Sequence, residues 1–175
     1  MSENKINLRR VGIFTQQSEQ QIYDFLQQWF IPHGIEMSWL EEGFKSKDAL
    51  DLVISFGGDG TVLAALSLFP QCPVLAVNFG NVGFLTAGDR EELADMLKSV
   101  LEGNFIISER SVLKCEHAHG VDYAVNEVVI RGATRLIAVE LSINDQHIRR
   151  VRGDGVIIGT ATGSTAYLLA AGSPI

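Results

Sequence analysis

The sequence predicts an α/β N-terminal domain, a parallel sheet with helices on both faces, followed by an incomplete, mostly antiparallel β domain. Two observations carry that prediction. Up to residue 104, short continuous apolar runs alternate with segments of helical period, the pattern of strands buried on both faces by crossover helices. From residue 105 onward the apolar residues alternate with polar ones in short stretches broken by turn residues, the pattern of half-covered antiparallel strands. The domains are therefore expected at 1–104 and 105–175.

In order along the chain, Val11-Gly12-Ile13-Phe14 is an apolar run that reads as a strand. Ser18-Glu19-Gln20-Gln21 has the form of a capping box. The helix behind it carries Ile22, Phe25, Leu26, Trp29 and Phe30 on one face and stops at Pro32 and Gly34. Residues 37–40 read as a second strand. Leu52-Val53-Ile54-Ser55-Phe56 reads as a buried strand that runs straight into Gly57-Gly58-Asp59-Gly60. A helix is expected over 61–68, stopping near Pro70, then a strand over 74–77. Leu93, Met96, Leu97, Val100 and Leu101 mark a further helix ending at Gly103. In the second half, strands are expected over 105–108, 112–116, 122–124, 127–131 and 136–143. Asn144-Asp145 turns the last of these into a hairpin partner over 147–151, and 156–158 is a final strand.

Composition excludes several classes. The 175 residues are 46% hydrophobic and 20% charged, a globular balance long enough to bury a core. The formal net charge of −7 argues against nucleic acid as a partner, because phosphate contacts need a basic field. Cys72 and Cys115 are too few for a disulfide framework and suit a reducing compartment. The polar start of the chain is no signal peptide, and no apolar run reaches the ~20 residues of a membrane helix. These features predict a cytoplasmic protein with no membrane partner.

The chemistry concentrates in three places. Gly57-Gly58-Asp59-Gly60-Thr61 follows a buried strand, where glycines let the backbone approach a phosphate and the next helix points its amides at an anion. No Lys-Ser or Lys-Thr pair follows, so it is not a Walker A loop. Position 63 is leucine, so it is not the dinucleotide fingerprint either. A carboxylate in a phosphate loop is repelled unless it serves a metal or takes a proton, which makes Asp59 the informative residue. An Asp-Gly tight turn is the plainer reading of the same residues. Gly80-Asn81-Val82-Gly83-Phe84-Leu85 is a second glycine loop after a strand, and a weak signal alone. Asn126-Glu127 offers an amide and a carboxylate at a strand entry, and Asp154 with Thr160, Thr162, Gly163, Ser164, Thr165 and Tyr167 gathers hydroxyls and amides where a helix starts. Arg149, Arg150 and Arg152 precede that cluster. His117 and His119 have no third ligand nearby, and no metal site is expected.

Taken together these motifs resemble the NAD kinase family. The resemblance runs through Gly57-Gly58-Asp59-Gly60-Thr61, Asn78 with residues 80–85, Glu109-Arg110, residues 124–129, and Asp154 through Tyr167 to Ile175. The Gly-Gly-Asp-Gly motif is shared with diacylglycerol and sphingosine kinases and, more loosely, with phosphofructokinases. The Asn-Glu pair and the Thr-Gly-Ser-Thr-Ala-Tyr segment select NAD kinase. Where the family usually has Ser-Thr-Pro-Thr, this chain has Gly159-Thr160-Ala161-Thr162, and an arginine common in the helix after the phosphate loop is absent near Ser67. Family members continue past Ile175, so the chain reads as an N-terminal portion of such a protein, with little or no activity of its own.

The resemblance implies transfer of the γ-phosphate of ATP, or of a polyphosphate, to the 2′-hydroxyl of the adenosine ribose of NAD. It implies Asp59 as the base, and Gly57, Gly58 and Thr61 as phosphate-binding. Gly60, Asn126, Glu127, Arg135, Arg152, Asp154, Thr162, Thr165, Ala166 and Tyr167 would bind NAD. Mg²⁺ would arrive with ATP, no tightly bound organic cofactor is expected, and a homo-oligomer, a dimer or tetramer, is implied. A dinucleotide-binding piece without activity and a lipid kinase are the competing expectations.

Overall fold

The structure is a computed structural model that describes residues 6–15, 20–40, 49–80 and 83–175. The capping box expected at residues 18–21 falls partly outside the described residues, as do Asn81 and Val82 of the second glycine loop. The chain divides into two compact units, Met1–Glu109 and Arg110–Ile175.

In the first unit, β1 (Arg10–Thr15), β2 (Glu36–Leu40), β3 (Leu52–Gly57), β4 (Val74–Asn78) and β5 (Gly88–Asp89) form one parallel sheet in the order β2-β1-β3-β4-β5. Three helices connect or flank them: α1 (Gln20–Phe30), α2 (Asp59–Leu68) and α3 (Leu93–Glu102). Strand alternation assigns the two faces. Val11, Ile13, Leu52, Ile54, Phe56 and Val77 point to one side, where Ile22, Leu26 and Phe30 of α1 and Leu93 and Leu97 of α3 complete a buried cluster. Phe14, Leu40 and Val53 point to the other and meet Ala65 of α2. Both faces of β1 and β3 are covered, which is why those strands read as continuous apolar runs. α3 ends at Gly103 in the left-handed conformation, with its N–H returned to the helix carbonyls.

The second unit is built from two-stranded antiparallel ladders. β6 (Leu113–His117) pairs with β7 (Gly120–Ala124), β8 (Glu127–Arg131) with β11 (Gly155–Gly159), and β9 (Ile137–Ile143) with β10 (Gln146–Gly153). Asn144 and Asp145 both have positive φ, 50° and 62°, as the tight hairpin turn between β9 and β10 requires. A short 3₁₀ turn over Thr162–Thr165 leads into α4 (Tyr167–Ala170). Among the described residues, Val125 is the one buried hydrophobic side chain of this unit, while Val121, Ile130, Leu136, Ile143, Ile148, Ile158 and Leu169 are exposed.

The element expectations hold with three corrections. No strand forms over 105–108: Ile106 is 93% exposed, and an apolar run without a partner has no ladder to join. The helix expected from Thr61 starts at Asp59, so Asp59 and Gly60 belong to its first turn and not to an Asp-Gly tight turn. The two-residue strand β5 was not foreseen, because Gly88-Asp89 has no apolar signature and exists only through its pairing with β4.

Cys72 is half-buried and donates its Sγ–H to the Leu50 carbonyl at 3.4 Å. Burial pushes its thiol up to about 11, and the Asp51 carboxylate adds to the rise against a hydrogen bond from the Val53 backbone.

Leu26→Ala or Leu97→Ala should lower unfolding stability by about 2–5 kcal/mol in urea titrations, since both side chains are fully buried in the first unit. Ile158→Ala, at a half-exposed position, should cost less than about 1 kcal/mol. The Cys72 contribution has the opposite pH sense from a carboxylate. The folded chain holds the proton more tightly than the unfolded chain, so the contribution is fully present below pH 9 and is lost as pH rises toward 11. A thiolate-directed reagent at pH 8 should therefore modify Cys72 far more slowly in the folded than in the urea-unfolded chain, as read by peptide mapping, with the gap closing toward pH 11.

Candidate functional site

The first unit places its site at the carboxyl end of β3. That end lies beside the reversal of strand order between β1 and β3, where open α/β sheets bind ligands. Gly57 closes β3 with φ 155°, and a side chain there would strike Thr61. Gly58 caps α2 in an extended conformation, and its carbonyl accepts from the N–H groups of Thr61 and Val62. A β-carbon on Gly58 or Gly60 would meet no neighbouring group within 4 Å, and with no side chain at either position nothing from these two residues shields the helix N-terminus, the kind of place that takes an anion. Thr61 is buried in the first turns of α2.

Asp59 is the first residue of α2, where a carboxylate is favoured by the helix dipole. Both of its oxygens are held. The Phe84 N–H donates to Oδ2 and the Leu85 N–H to Oδ1, each at 3.0 Å. A β-carbon at Gly83 would collide with Oδ1 and lie 2.9 Å from Cγ. The second glycine loop, weak as a sequence signal, is thus the partner of the first.

That second loop is fastened at both ends. Asn78 and Asp89 are register partners at the ends of β4 and β5. The buried Asn78 donates its Nδ2 to Asp89 Oδ1 at 2.9 Å and to the Gly80 carbonyl at 3.0 Å, and its Oδ1 accepts from the Gly80 N–H at 3.2 Å. Phe79 lies edge-on to Phe56 at 5.1 Å and under the Arg90 guanidinium at 5.0 Å. Asp89 also caps the turn over Arg90–Glu92 in a reciprocal capping box with Glu92.

In the second unit, Asn126 and Glu127 stand at the start of β8, opposite the end of β11, with Glu127 paired to Gly159. The Asn126 carbonyl accepts from the Thr160 N–H at 2.9 Å. Thr160 is buried, its hydroxyl donates to the Val125 carbonyl, and its Oγ1 accepts from the Gly163 N–H at 3.2 Å. Gly163 packs directly on Asn126, where a β-carbon would lie 2.5 Å from its carbonyl carbon. This web ties the Asn-Glu pair to the Thr-Gly-Ser-Thr turn, two motifs 35 residues apart. Glu127 Oε2 is closed off from solvent with no hydrogen-bond partner among the described residues.

A separate open cavity of about 860 Å³ in the same unit gathers Arg135, Asp154 and Tyr167. It also takes in Arg131 and Thr134, which sequence reasoning did not single out. Arg131 is the last residue of β8 and carries no motif. Arg152, Thr162, Thr165 and Ala166 do not line that cavity. Arg152 is exposed on β10 opposite Ala138, Thr162 and Thr165 bound the 3₁₀ turn, and Ala166 links it to α4. His117 is bonded to Asp122 at 2.9 Å on the β6–β7 hairpin, and among the described residues no three metal-ligating side chains lie together.

Comparison with known proteins gives a consistent result. The family model described as the ATP-NAD kinase N-terminal domain matches residues 11–105, and that of the ATP-NAD kinase C-terminal domain matches residues 125–175. The NAD kinase of Methanothermobacter thermautotrophicus is 39% identical over 138 residues, 77% of this chain and 48% of that protein. The NAD kinase of Thermomicrobium roseum is 33% identical over 175 residues, 95% of this chain and 61% of that protein. The chain thus spans between about half and three fifths of the length of these relatives. Among solved structures, a yeast NADH kinase complexed with NADH superposes with a TM-score of 0.77 at 24% identity, over 96% of this chain and 62% of that one, a likeness of fold. An NAD kinase from Archaeoglobus fulgidus in complex with ATP superposes with a TM-score of 0.70 at 26% identity, over 94% and 66%. The two family models follow one another along the chain in the same order as the glycine-aspartate loop and the Asn-Glu strand that the two units present, and this chain belongs to the ATP-NAD kinase family.

Proposed function

We propose that the protein transfers the γ-phosphoryl group of ATP to the 2′-hydroxyl of the adenosine ribose of NAD, giving NADP and ADP. The observation that carries this reading is Asp59: a carboxylate set directly after two glycines at a helix N-terminus and aimed by two amides. Phosphoryl transfer asks a protein for positioning, charge stabilisation and a proton acceptor at the attacking hydroxyl. Asp59 takes the 2′-hydroxyl proton as that oxygen bonds to the γ-phosphorus, and the bond to the β,γ-bridging oxygen breaks to release ADP. Gly57, Gly58 and Thr61 hold phosphate oxygens near the N-terminus of α2, and Gly60 lets the ribose approach.

The second unit supplies recognition in this reading. Glu127 accepts a ribose hydroxyl, which gives its unpartnered Oε2 a donor. Asn126 meets the adenine edge or ribose, with Thr162, Thr165 and Ala166 around the adenosine. Asp154, Arg135 and Tyr167 take the nicotinamide end in their cavity, and Arg152 contributes a further substrate contact. The magnesium ion enters as part of the MgATP substrate in this reading, where it would neutralise charge on the transferring phosphates. ATP or a polyphosphate serves as the donor in this reading, the protein works in the cytoplasm, and the exposed apolar residues of the second unit's ladders support a homo-oligomer. Nothing in the site favours a lipid acceptor.

In a full-length context, Asp59→Asn should lower NADP formation by roughly 10²- to 10⁴-fold while NAD affinity, by calorimetry, stays within a few-fold. Wild-type turnover in that variant would remove Asp59 from its role. A protein that binds NAD yet forms no NADP with either ATP or polyphosphate would instead be a dinucleotide-binding module. Asn126→Ala and Glu127→Ala should each weaken NAD binding by about 1–3 kcal/mol and ATP binding much less. Damage confined to ATP would move the pair to the donor side.

A further inference from the structure

Resting on the reading of Asp59 as the base, we propose that the loop Gly83-Phe84-Leu85 is its positioning device, acting through backbone amides and through the missing side chain of Gly83. Three observations carry this. The two amides engage one oxygen each, so the carboxylate is fixed in rotation as well as in place. Charge-assisted bonds of this kind are stronger than neutral ones. A carboxylate has about four acceptor positions, so two amides leave capacity for the proton of an incoming hydroxyl. The Phe84 side chain is 97% exposed, so the loop addresses Asp59 with its backbone and not with that ring. Gly83 has to lack a β-carbon because the space it would fill belongs to Oδ1.

The loop can hold this position because its ends are tied. Asn78 bonds across to Asp89 and back to Gly80, and Phe79 is held between Phe56 and Arg90. The amides therefore come from a closed loop between two paired strands, while Asp59 comes from the neighbouring strand-to-helix junction. Catalysis is sensitive to such placement: a displacement of about 1 Å at the reacting group can cost on the order of 10²-fold in rate.

The test has an exchange arm and a kinetic arm. Hydrogen exchange followed by NMR should show the Phe84 and Leu85 amides protected in the wild-type protein, and Asp59→Ala should speed their exchange roughly tenfold or more. In steady-state NADP formation in a full-length context, Gly83→Ala should lower kcat at least about tenfold with the KM for NAD within a few-fold. Introduced into Asp59→Ala, the same Gly83→Ala change should alter the residual kcat less than about twofold, because nothing is left to misplace. Unchanged amide exchange in Asp59→Ala, wild-type kcat in Gly83→Ala, or an equal loss in both backgrounds would each overturn the proposal. If Asp59→Ala itself retains full turnover, the base assignment fails and the positioning role fails with it. If Asp59→Ala is inactive and Gly83→Ala is not, the positioning role alone fails. Should Gly83→Ala not fold, the double variant decides: with the carboxylate gone the β-carbon has room, so it should fold, and its failure to do so would assign Gly83 a role unrelated to Asp59.

Discussion

Strand β3 is buried on both faces, and most of the first unit follows from that constraint. Leu52, Ile54 and Phe56 need α1 and α3 on one side, and Val53 needs α2 on the other. A strand enclosed in this way can satisfy its backbone polar groups only through neighbouring strands, which β1 and β4 supply in parallel register. The chain must then turn sharply at the end of β3 to deliver α2 back onto the sheet. Gly57 and Gly58 make that turn, and Asp59 is carried to the helix N-terminus by it. The chemistry of the site is thus delivered by the packing requirement of the core.

The adjacency of β3 and β4 has a second consequence. Two parallel neighbours release their following loops at the same edge of the sheet. The loop after β4 therefore meets the loop after β3, and the Asp59 carboxylate lies between backbone donors from one and a helix terminus from the other. Each loop is glycine-rich for its own reason. In the first, glycine permits the turn at Gly57; in the second, Gly83 leaves the volume that Asp59 occupies. β5 has only two residues, yet it closes the second loop through Asn78 and Asp89 and so reaches the site indirectly.

The second unit rests on a different balance. Its ladders satisfy their backbone groups in pairs but bury little apolar surface, and Val125 and Thr160 are the fixed points around which the Asn126 and Glu127 strand entry and the Gly163 turn are organised. Hydrogen bonds, not a hydrophobic core, join those two motifs. That arrangement presents polar groups at defined positions, and Glu127 Oε2 is buried there with no hydrogen-bond partner among the described residues.

The local character of the chain determined much of this protein. Unbroken apolar runs marked β1, β3 and β4, helical spacing of apolar residues marked α1 and α3, and strand alternation marked the β9–β10 hairpin, because burial on one face leaves a period in the residues and burial on both leaves a run. The motifs Gly57 to Thr61, Asn126-Glu127 and Thr162 to Tyr167 named the family because their residue types and order are specific. What the sequence did not contain is which backbone groups meet which side chains. The amides of Phe84 and Leu85 have no residue signature, since every residue but proline has an N–H, and only the parallel pairing of β3 with β4 brings them to Asp59. β5 likewise has no apolar pattern, and residues 105–108 have one without acquiring a partner, because a strand exists only through the strand beside it. Arg131 entered the Asp154 and Tyr167 cavity for the same reason: strand register, decided in three dimensions, sets which end of β8 faces which end of β11.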